Sequence, residues 1–325
     1  MSPNLRLGGG QGGEFGLLRR IFARLGTGGG GGRDLGDDCA LIRLGRTTLA
    51  ASIDLSVEGV HFRTDWLSFE EIGWRAAAAA LSDLAAEGAT PVGVLVSLGL
   101  PKAVRGRRMG ERAAPEIMVG VAAAARSVGA AVLGGDLARS ARYLVDVCVL
   151  GTADRPVRRS GARAGHGVWV TGTLGGAALA LAALRARRGI SPRLFGRYAR
   201  PSPRVAAGRW LARHGATAMI DVSDGLAADA GHLAAASRTR IEIELERIPC
   251  WPGVGPRVAA ASGEEFELLV ALPPRFGAAG ARAFRRATGL ALTRIGTCTA
   301  GRGLRLTDNG RPITPPPGFD HFPSA

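Results

Sequence analysis

Aspartate recurs in this chain at one kind of position, the edge of an apolar run. Asp38 precedes "CALIRL", Asp54 closes "TTLAASID", Asp136 closes "AAVLGGD", Asp221 closes "ATAMID", and Asp224 follows at once in "SDG". The runs read as buried strands and the segments between them as helices, so these carboxylates mark strand ends and helix starts. Those are the places where open α/β sheets bind ligands. Burying one such carboxylate unpaired costs roughly several kcal/mol, so a fold that keeps them all must bring an arginine, a helix N-terminus or a cation to meet them. Asp83 joins the set from inside "RAAAAALSDLAAEG", where steps of four lead back to Ala79, Arg75 and Glu71, the seam between an apolar and a polar face.

The punctuation of the chain supports an alternating α/β order. A short helix is expected over "EFGLLRRIFARL", between glycine-rich stretches at 1–13 and 26–33 that read as a flexible arm and loop. The second stretch holds the pentaglycine Gly28 to Gly32, which ends in Arg33 and Asp34 and lacks the Gly-Lys-Ser/Thr of a phosphate-binding loop. "SFEEIGWRAAAAALSDLAAEG" predicts a helix with Ser68 as N-cap, Glu71 completing a capping box and Gly88 as stop. "PVGVLVSLGL" predicts a strand, 108–128 a helix, "AAVLGGD" a strand running into a turn, and "RYLVDVCVLG" a further strand. The second half predicts strands at "HGVWVTG", "ATAMID", "RIEIELERI" and "FELLVAL". Its helices are expected at "LGGAALALAALRARR", "SPRVAAGRWLARHG" and "VSDGLAADAGHLAAAS". At 325 residues the chain exceeds the roughly 250 to 300 at which one core usually divides. Two domains are expected, 1–150 and 151–325.

Composition narrows the partners. The net charge of +15 raises nucleic acid, because clustered cations gain affinity by releasing phosphate counterions. The basic runs "RGRR", "RPVRR" and "RARR" are short and no aromatic residues interleave them, so nucleic acid is an unlikely partner and diffuse solvated charge the better reading. Cys39, Cys148, Cys250 and Cys298 are widely spaced, which suggests neither a zinc site nor a disulfide framework and fits a reducing cytoplasm. No window reaches the roughly 18 apolar residues that span a bilayer, and the N-terminus lacks the apolar centre of a signal peptide.

Each aspartate also has a plain alternative. Asp224 is either a ligand or a helix cap, a role Ser223 fills equally well. Asp136 after two glycines suits a turn, and Asp54 suits a salt bridge. Taken together, six aspartates in a chain whose only lysine is Lys102 favour a hard cation. An oxygen-rich set without cysteine points to Mg2+ bridging phosphates rather than to zinc.

Nine stretches carry a resemblance. "GEFGLL", "GDDCALI", "SIDLSVEGVHF", "ALSDLAAEGATP", "GGD", "RRSGARAGHGVWVTG", "RPSPR", "IDVSDGLAAD" and "SGEEFELL" run in order from residue 13 to a terminal "GFDHF". Together they resemble the thiamine-monophosphate kinase family of the aminoimidazole ribonucleotide synthetase superfamily. The resemblance implies an N-terminal α/β domain that dimerises through its strands, and a C-terminal α+β domain. It implies ATP and several Mg2+ ions between the two, and transfer of the γ-phosphoryl of ATP to thiamine monophosphate. Metal ligands are implied at Asp38, Ser52, Ile53, Asp54, Asp83, Asp136, Asp221 and Asp224, the six aspartates forming the catalytic set. Gly135, Asp136, Arg159 and Ser223 are implied near the nucleotide, and His61, Glu264 and Phe319 near thiamine phosphate. Phosphoryl transfer relies on alignment and charge neutralisation, which accounts for so many carboxylates. It also explains why Asp38, with Asp37 beside it, tolerates a like charge.

The residues themselves leave several assignments open. His61 suits a capped loop as well as a phosphate contact, Arg159 a solvated surface as well as a phosphate fork, and Phe319 plain packing as well as a face for thiazolium. Glu265 or Glu267 could fill the role of Glu264. Four positions depart from the family pattern: Ile53 replaces a threonine and leaves only its carbonyl, Ala80 an asparagine, Glu87 a methionine and Glu265 an aspartate. The competing readings are a paralogue of the superfamily acting on another substrate and a basic nucleic-acid-binding protein without catalysis.

Overall fold

A computed structural model describes residues 13–25, 36–102, 110–319 and 321–322. The glycine-rich stretches expected at 1–13 and 26–33 lie outside the described residues, Gly13 excepted. The first half runs α1 (Gly13–Leu25), β1 (Ala40–Leu44), β2 (Thr47–Val57), α2 (Phe69–Ala86), β3 (Thr90–Pro101), α3 (Gly110–Ser127), β4 (Ala131–Ser140) and β5 (Leu144–Ala153). Its strands form one sheet in the order β1-β2-β5-β3-β4, antiparallel except for the parallel pair β3/β4.

The second half continues with β6 (Gly167–Thr171), α4 (Gly176–Arg185), α5 (Pro192–Ala199), α6 (Val205–Arg213), β7 (Ala218–Asp221), α7 (Leu226–Ser237) and β8 (Arg240–Glu244). It closes with α8 (Pro256–Ala261), β9 (Leu268–Leu272), α9 (Gly277–Thr288), β10 (Leu292–Thr299), β11 (Gly303–Asp308) and β12 (Arg311–Ile313). The second sheet is ordered β12-β11-β8-β10-β6-β9-β7. Strands β6, β7 and β9 are buried along their whole length because both faces carry core: Val168, Val170 and Ile220 pack into one cluster, Trp169, Met219 and Val270 into another.

Helix α2 is the element that positions the site. It starts as its sequence dictates, with Ser68 accepting from the Glu71 N–H and Glu71 reaching back to the Ser68 N–H. Its alanines are small for a reason. A Cβ on Gly120 of α3 would lie 1.9 Å from the Glu70 carbonyl oxygen of α2, and one on Gly208 of α6 would lie 1.9 Å from that of Ala85. The helix is thus clasped between both halves of the molecule at near-backbone contact. Ile72, Leu81 and Leu84, each no more than 1% exposed, anchor it at about 1.5 to 3 kcal/mol apiece.

Three expectations need correction. The strand β4 runs straight through Gly134-Gly135-Asp136 where a turn was expected, because these residues pair with Leu95, Val96 and Ser97 of β3. Gly135 is required by that pairing, since a Cβ there would stand 1.8 Å from the Val96 carbonyl oxygen. Helix α7 begins at Leu226, so Asp224 lies in the preceding turn; Asp229 reaches back as the cap, accepting from the N–H groups of Ser223 and Gly225 at 3.2 and 3.1 Å. Finally, α5 over Pro192–Ala199, α8 over Pro256–Ala261 and the segment from α9 onward have no counterpart among the elements expected from the sequence; α5 starts at Ser191, whose hydroxyl accepts from the Leu194 N–H.

Candidate active site at the junction of the two sheets

Four elements deliver the carboxylates. The turn before β1 carries Asp38, β2 carries Ser52 and Asp54 on its helix-facing side, α2 carries Asp83, and β7 ends in Asp221. One carboxylate oxygen from each of Asp38, Asp83 and Asp221 lies within 4.8 Å of the other two. The Ser52 hydroxyl donates to Asp83 at 2.5 Å. Asp54 joins through its charge, which raises the Asp83 pKa. Ile53 alternates to the opposite face and is 66% exposed, so only its backbone is near the cluster.

The electrostatics are those of a cluster short of positive charge. Burial first, and then the charge of Asp38, pushes the Asp221 pKa up to about 8. Burial, then Asp54, Asp221 and Asp38, pushes Asp83 well above the usual carboxylate range. Arg159 supplies the nearest cation. Its guanidinium donates to both oxygens of Asp38, at 3.1 and 2.7 Å, and to the Gly36 carbonyl, while its backbone N–H donates to Asp37 at 2.7 Å. Burial opposes its charge, yet Asp38 outweighs that and holds the arginine firmly protonated. Arg159 is therefore a partner of the carboxylates, and the solvated-surface reading of it falls.

A cavity of about 270 Å³ is lined by His61, Arg63, Trp66, Arg185, Tyr198 and Glu264 among others, and His321 links it to the cluster, since its charge acts on both His61 and Asp54. His61 Nδ1 accepts from the Val57 N–H at 3.0 Å, and burial together with the charge of His321 lowers its pKa. The ring is then neutral with its proton on Nε2. Arg75, 4% exposed, stacks 4.0 Å from the Tyr198 ring and pairs with Glu264.

The loop of Glu264 shows why its neighbours cannot replace it. Glu264 and Phe266 both have positive φ, 58° and 50°, so successive side chains diverge. Glu265 and Glu267 turn inward. Glu265 accepts from the Gly175 and Ala177 N–H groups at the start of α4 and pairs with Arg197; Glu267 pairs with Arg197 and Arg204. Glu264 stays at the cavity, with its N–H bound to the Ser223 carbonyl at 2.7 Å. That bond brings the turn of Ser223 and Asp224 against the Glu264 loop. The Phe319 N–H donates to the Asp224 carbonyl, which brings the C-terminal segment back to the same place. His321, which sequence reasoning missed, stands between His61 and Phe319 at ring distances of 5.0 and 4.7 Å. Its adjacency to Phe319 in "GFDHF" was the only signal for it.

Gly135 and Asp136 are not brought in. Asp54 pairs across the first sheet with Val147, Val147 with Val96, and Val96 with Gly135, so β2 and β4 are three strand spacings apart, about 14 Å. Asp136 is exposed and shares with Asp146 and Ser97 the face of the sheet opposite α2.

Residues 36–153 match the family model described as AIR synthase related protein, N-terminal domain, and residues 163–309 that of AIR synthase related protein, C-terminal domain. Thiamine-monophosphate kinase of Aquifex aeolicus is 32% identical over 324 residues, covering 95% of this chain and 98% of that protein; the Salmonella typhimurium enzyme is 33% identical over 334 residues with the same coverage. The chain belongs to the thiamine-monophosphate kinase family. Among solved structures, AaThiL complexed with AMPPCP and TMP matches with a TM-score of 0.83 and 30% identity, over 95% of this chain and 97% of that one. Thiamine-monophosphate kinase from Stenotrophomonas maltophilia K279a matches with a TM-score of 0.74 at 32% identity, over 92% and 98%. The hydrogenase maturation protein HypE, at 18% identity and a TM-score of 0.69 over 86% of this chain and 91% of that one, shares the fold of the family.

Proposed function

We propose that this chain transfers the γ-phosphoryl of ATP directly onto thiamine monophosphate, giving thiamine diphosphate, with Mg2+ held by the junction carboxylates. The observation that carries the reading is the approach of Asp38, Asp83 and Asp221 within 4.8 Å of one another, in a molecule that also holds a cavity large enough for a small organic cation. The relatives at 32 and 33% identity bear the name of that activity, and one matching structure holds AMPPCP and TMP.

The donor set fits Mg2+. It offers oxygen only, and oxygens within 4.8 Å of one another need only a small further approach to reach the edges and diagonals, about 3.0 and 4.2 Å, of an octahedron with ligands at about 2.1 Å. Asp38, Ser52, Asp54, Asp83 and Asp221 would hold the ions, with Asp224 at the adjoining turn and the Ile53 carbonyl on the β2 side. Such ions neutralise charge on the transferring phosphoryl group and hold both phosphates in line. The protein's own residues do the rest. Arg159 and Ser223 border the phosphate side. Neutral His61 offers its Nε2–H to an acceptor, while Glu264, fixed by Arg75, presents a carboxylate to a cationic ligand. Phe319 and His321 give aromatic faces at the cavity mouth.

The reading extends to assembly and compartment. Ile42, Leu44, Ile53, Leu55 and Leu95 share the face of the first sheet opposite α2 and are 38 to 66% exposed, which supports a homodimer that covers them. A partner copy closing over this face is also the route by which Gly135 and Asp136 could meet an active site. Four free thiols support a cytoplasmic enzyme. No described helix is long and apolar enough to cross a membrane.

The test is incubation with ATP, Mg2+ and, separately, thiamine, thiamine monophosphate and aminoimidazole precursors, with products separated by chromatography. Thiamine diphosphate should form from the monophosphate alone; consumption of ATP only with an aminoimidazole precursor would refute the assignment.

A further inference from the structure

Behind the Asp38–Asp83–Asp221 cluster lies a second group of carboxylates, and its deepest member is one that departs from the family pattern. Glu87 occupies the C-cap of α2, where α2 ends against the turn before β1. It is fully buried, and neither carboxylate oxygen accepts a hydrogen bond of ordinary geometry from a described protein group. The Cys39 backbone N–H eases the charge but does not complete such a bond. Glu265 and Glu267, buried as deeply, are by contrast surrounded by arginines, hydroxyls and backbone N–H groups.

We propose that Asp37, Asp38 and Glu87 hold a further hard divalent cation, resident before nucleotide binds, in a site that shares Asp38 with the Asp38–Asp83–Asp221 cluster. One oxygen from each of the three lies within 4.8 Å of the other two, again the span of an all-oxygen coordination shell. Charge balance asks for the ion. Asp37, Asp38, Asp83, Glu87 and Asp221 place five carboxylates in contiguous volume, and the cations whose fields act on Asp37 are Arg158 and Arg159. The Arg159 guanidinium is already engaged by Asp38 and the Gly36 carbonyl. Asp37 is half-buried and gives the ion a way in, while Asp38 is positioned to bridge two cations, a carboxylate mode common in paired metal sites.

The site would lock the turn before β1 onto the end of α2, so that Asp38 is held in place when ATP arrives. The methionine that the resemblance implies at residue 87 has no side-chain oxygen to offer such an ion, whereas the glutamate of this chain does.

The probe is Mn2+ alone, titrated into the full-length protein without nucleotide or thiamine compound and followed by electron paramagnetic resonance. Glu87→Gln and Glu87→Met should each lose one Mn2+ equivalent per chain, or bind it about tenfold or more weakly. Asp37→Asn, on a half-buried side chain, should lose the same equivalent and serves where a Glu87 variant folds poorly. Asp83→Asn should retain it, and Asp83→Asn combined with Glu87→Gln should lose it. Unchanged Mn2+ number and affinity in Glu87→Gln and Asp37→Asn would overturn the proposal and leave Glu87 as a buried protonated acid. Because neither ATP nor thiamine monophosphate is present, failure of the kinase assignment would not alter this result.

Discussion

Replacing Asp221 by asparagine should make the ligand-free protein more stable while sharply lowering activity, and the size of the gain follows from the site. The carboxyl is 3% exposed, and burial with the charge of Asp38 raises its pKa from 3.8 to about 8. A raised acid pKa destabilises the folded state above the unfolded value, so the penalty is absent below pH 3.8, grows with pH and levels off near 8. At pH 7 the relevant span is about 3 units, or roughly 4 kcal/mol at 1.36 kcal/mol per unit. Arg159 and the neighbouring carboxylates share that titration, so about 2 to 4 kcal/mol is expected for Asp221→Asn. In a chain of this size that is a rise in Tm of about 3 to 6 °C at pH 7, and the gain shrinks to roughly 1 kcal/mol or less at pH 4.5. Activity should fall by about a hundredfold to a thousandfold, as when a preorganised electrostatic group is lost. Melts at pH 4.5, 6 and 7, with and without Mg2+ and ATP, provide the assay: the wild type should gain more from ligands than the variant. An Asp221→Asn protein that melts below the wild type at pH 7, or whose gain is the same at every pH, would refute the electrostatic account.

Other outcomes test the frame around the site. Gly208→Ala places a Cβ 1.9 Å from the Ala85 carbonyl oxygen and must push α6 off α2; a loss of about 1 to 3 kcal/mol is expected in chemical denaturation, together with reduced turnover because α2 carries Asp83. Glu267→Gln removes the shared charge of Arg197 and Arg204 in a buried network, so a loss of about 3 to 5 kcal/mol should appear as a lower denaturation midpoint. Leu55→Asp, at a residue 50% exposed on the open face of the first sheet, should leave the folded protomer intact but shift light scattering from dimer to monomer; a variant that remains a dimer would show that another surface joins the copies.

Much of the fold is written in local chemistry. The capping box at Ser68 and Glu71 and the apolar runs of β2, β3, β6 and β7 depend on neighbours within a few residues, so spacing alone determined them; of the aspartates expected at strand ends only Asp221 ends one, since pairing carries β2 on past Asp54 and β4 past Asp136. The sequence also carried the family, through motifs strung along nearly its whole length. Tertiary structure decided what those motifs do to one another. Only the approach of α2 to both halves, made possible by glycine and alanine at its contacts, brings Asp83 to Asp38 and Asp221. Only the sheet order separates Asp136 from Asp54 by three strands, although both close apolar runs in the sequence. Positive φ at Glu264 and Phe266 decides which glutamate of "GEEFE" faces the cavity. Glu87, at the C-cap of α2, is a fully buried carboxylate in a segment held from far along the chain, where the Val157 N–H donates to the Glu87 backbone carbonyl. Its burial, and the cation it calls for, arise from long-range packing that a window of sequence does not contain.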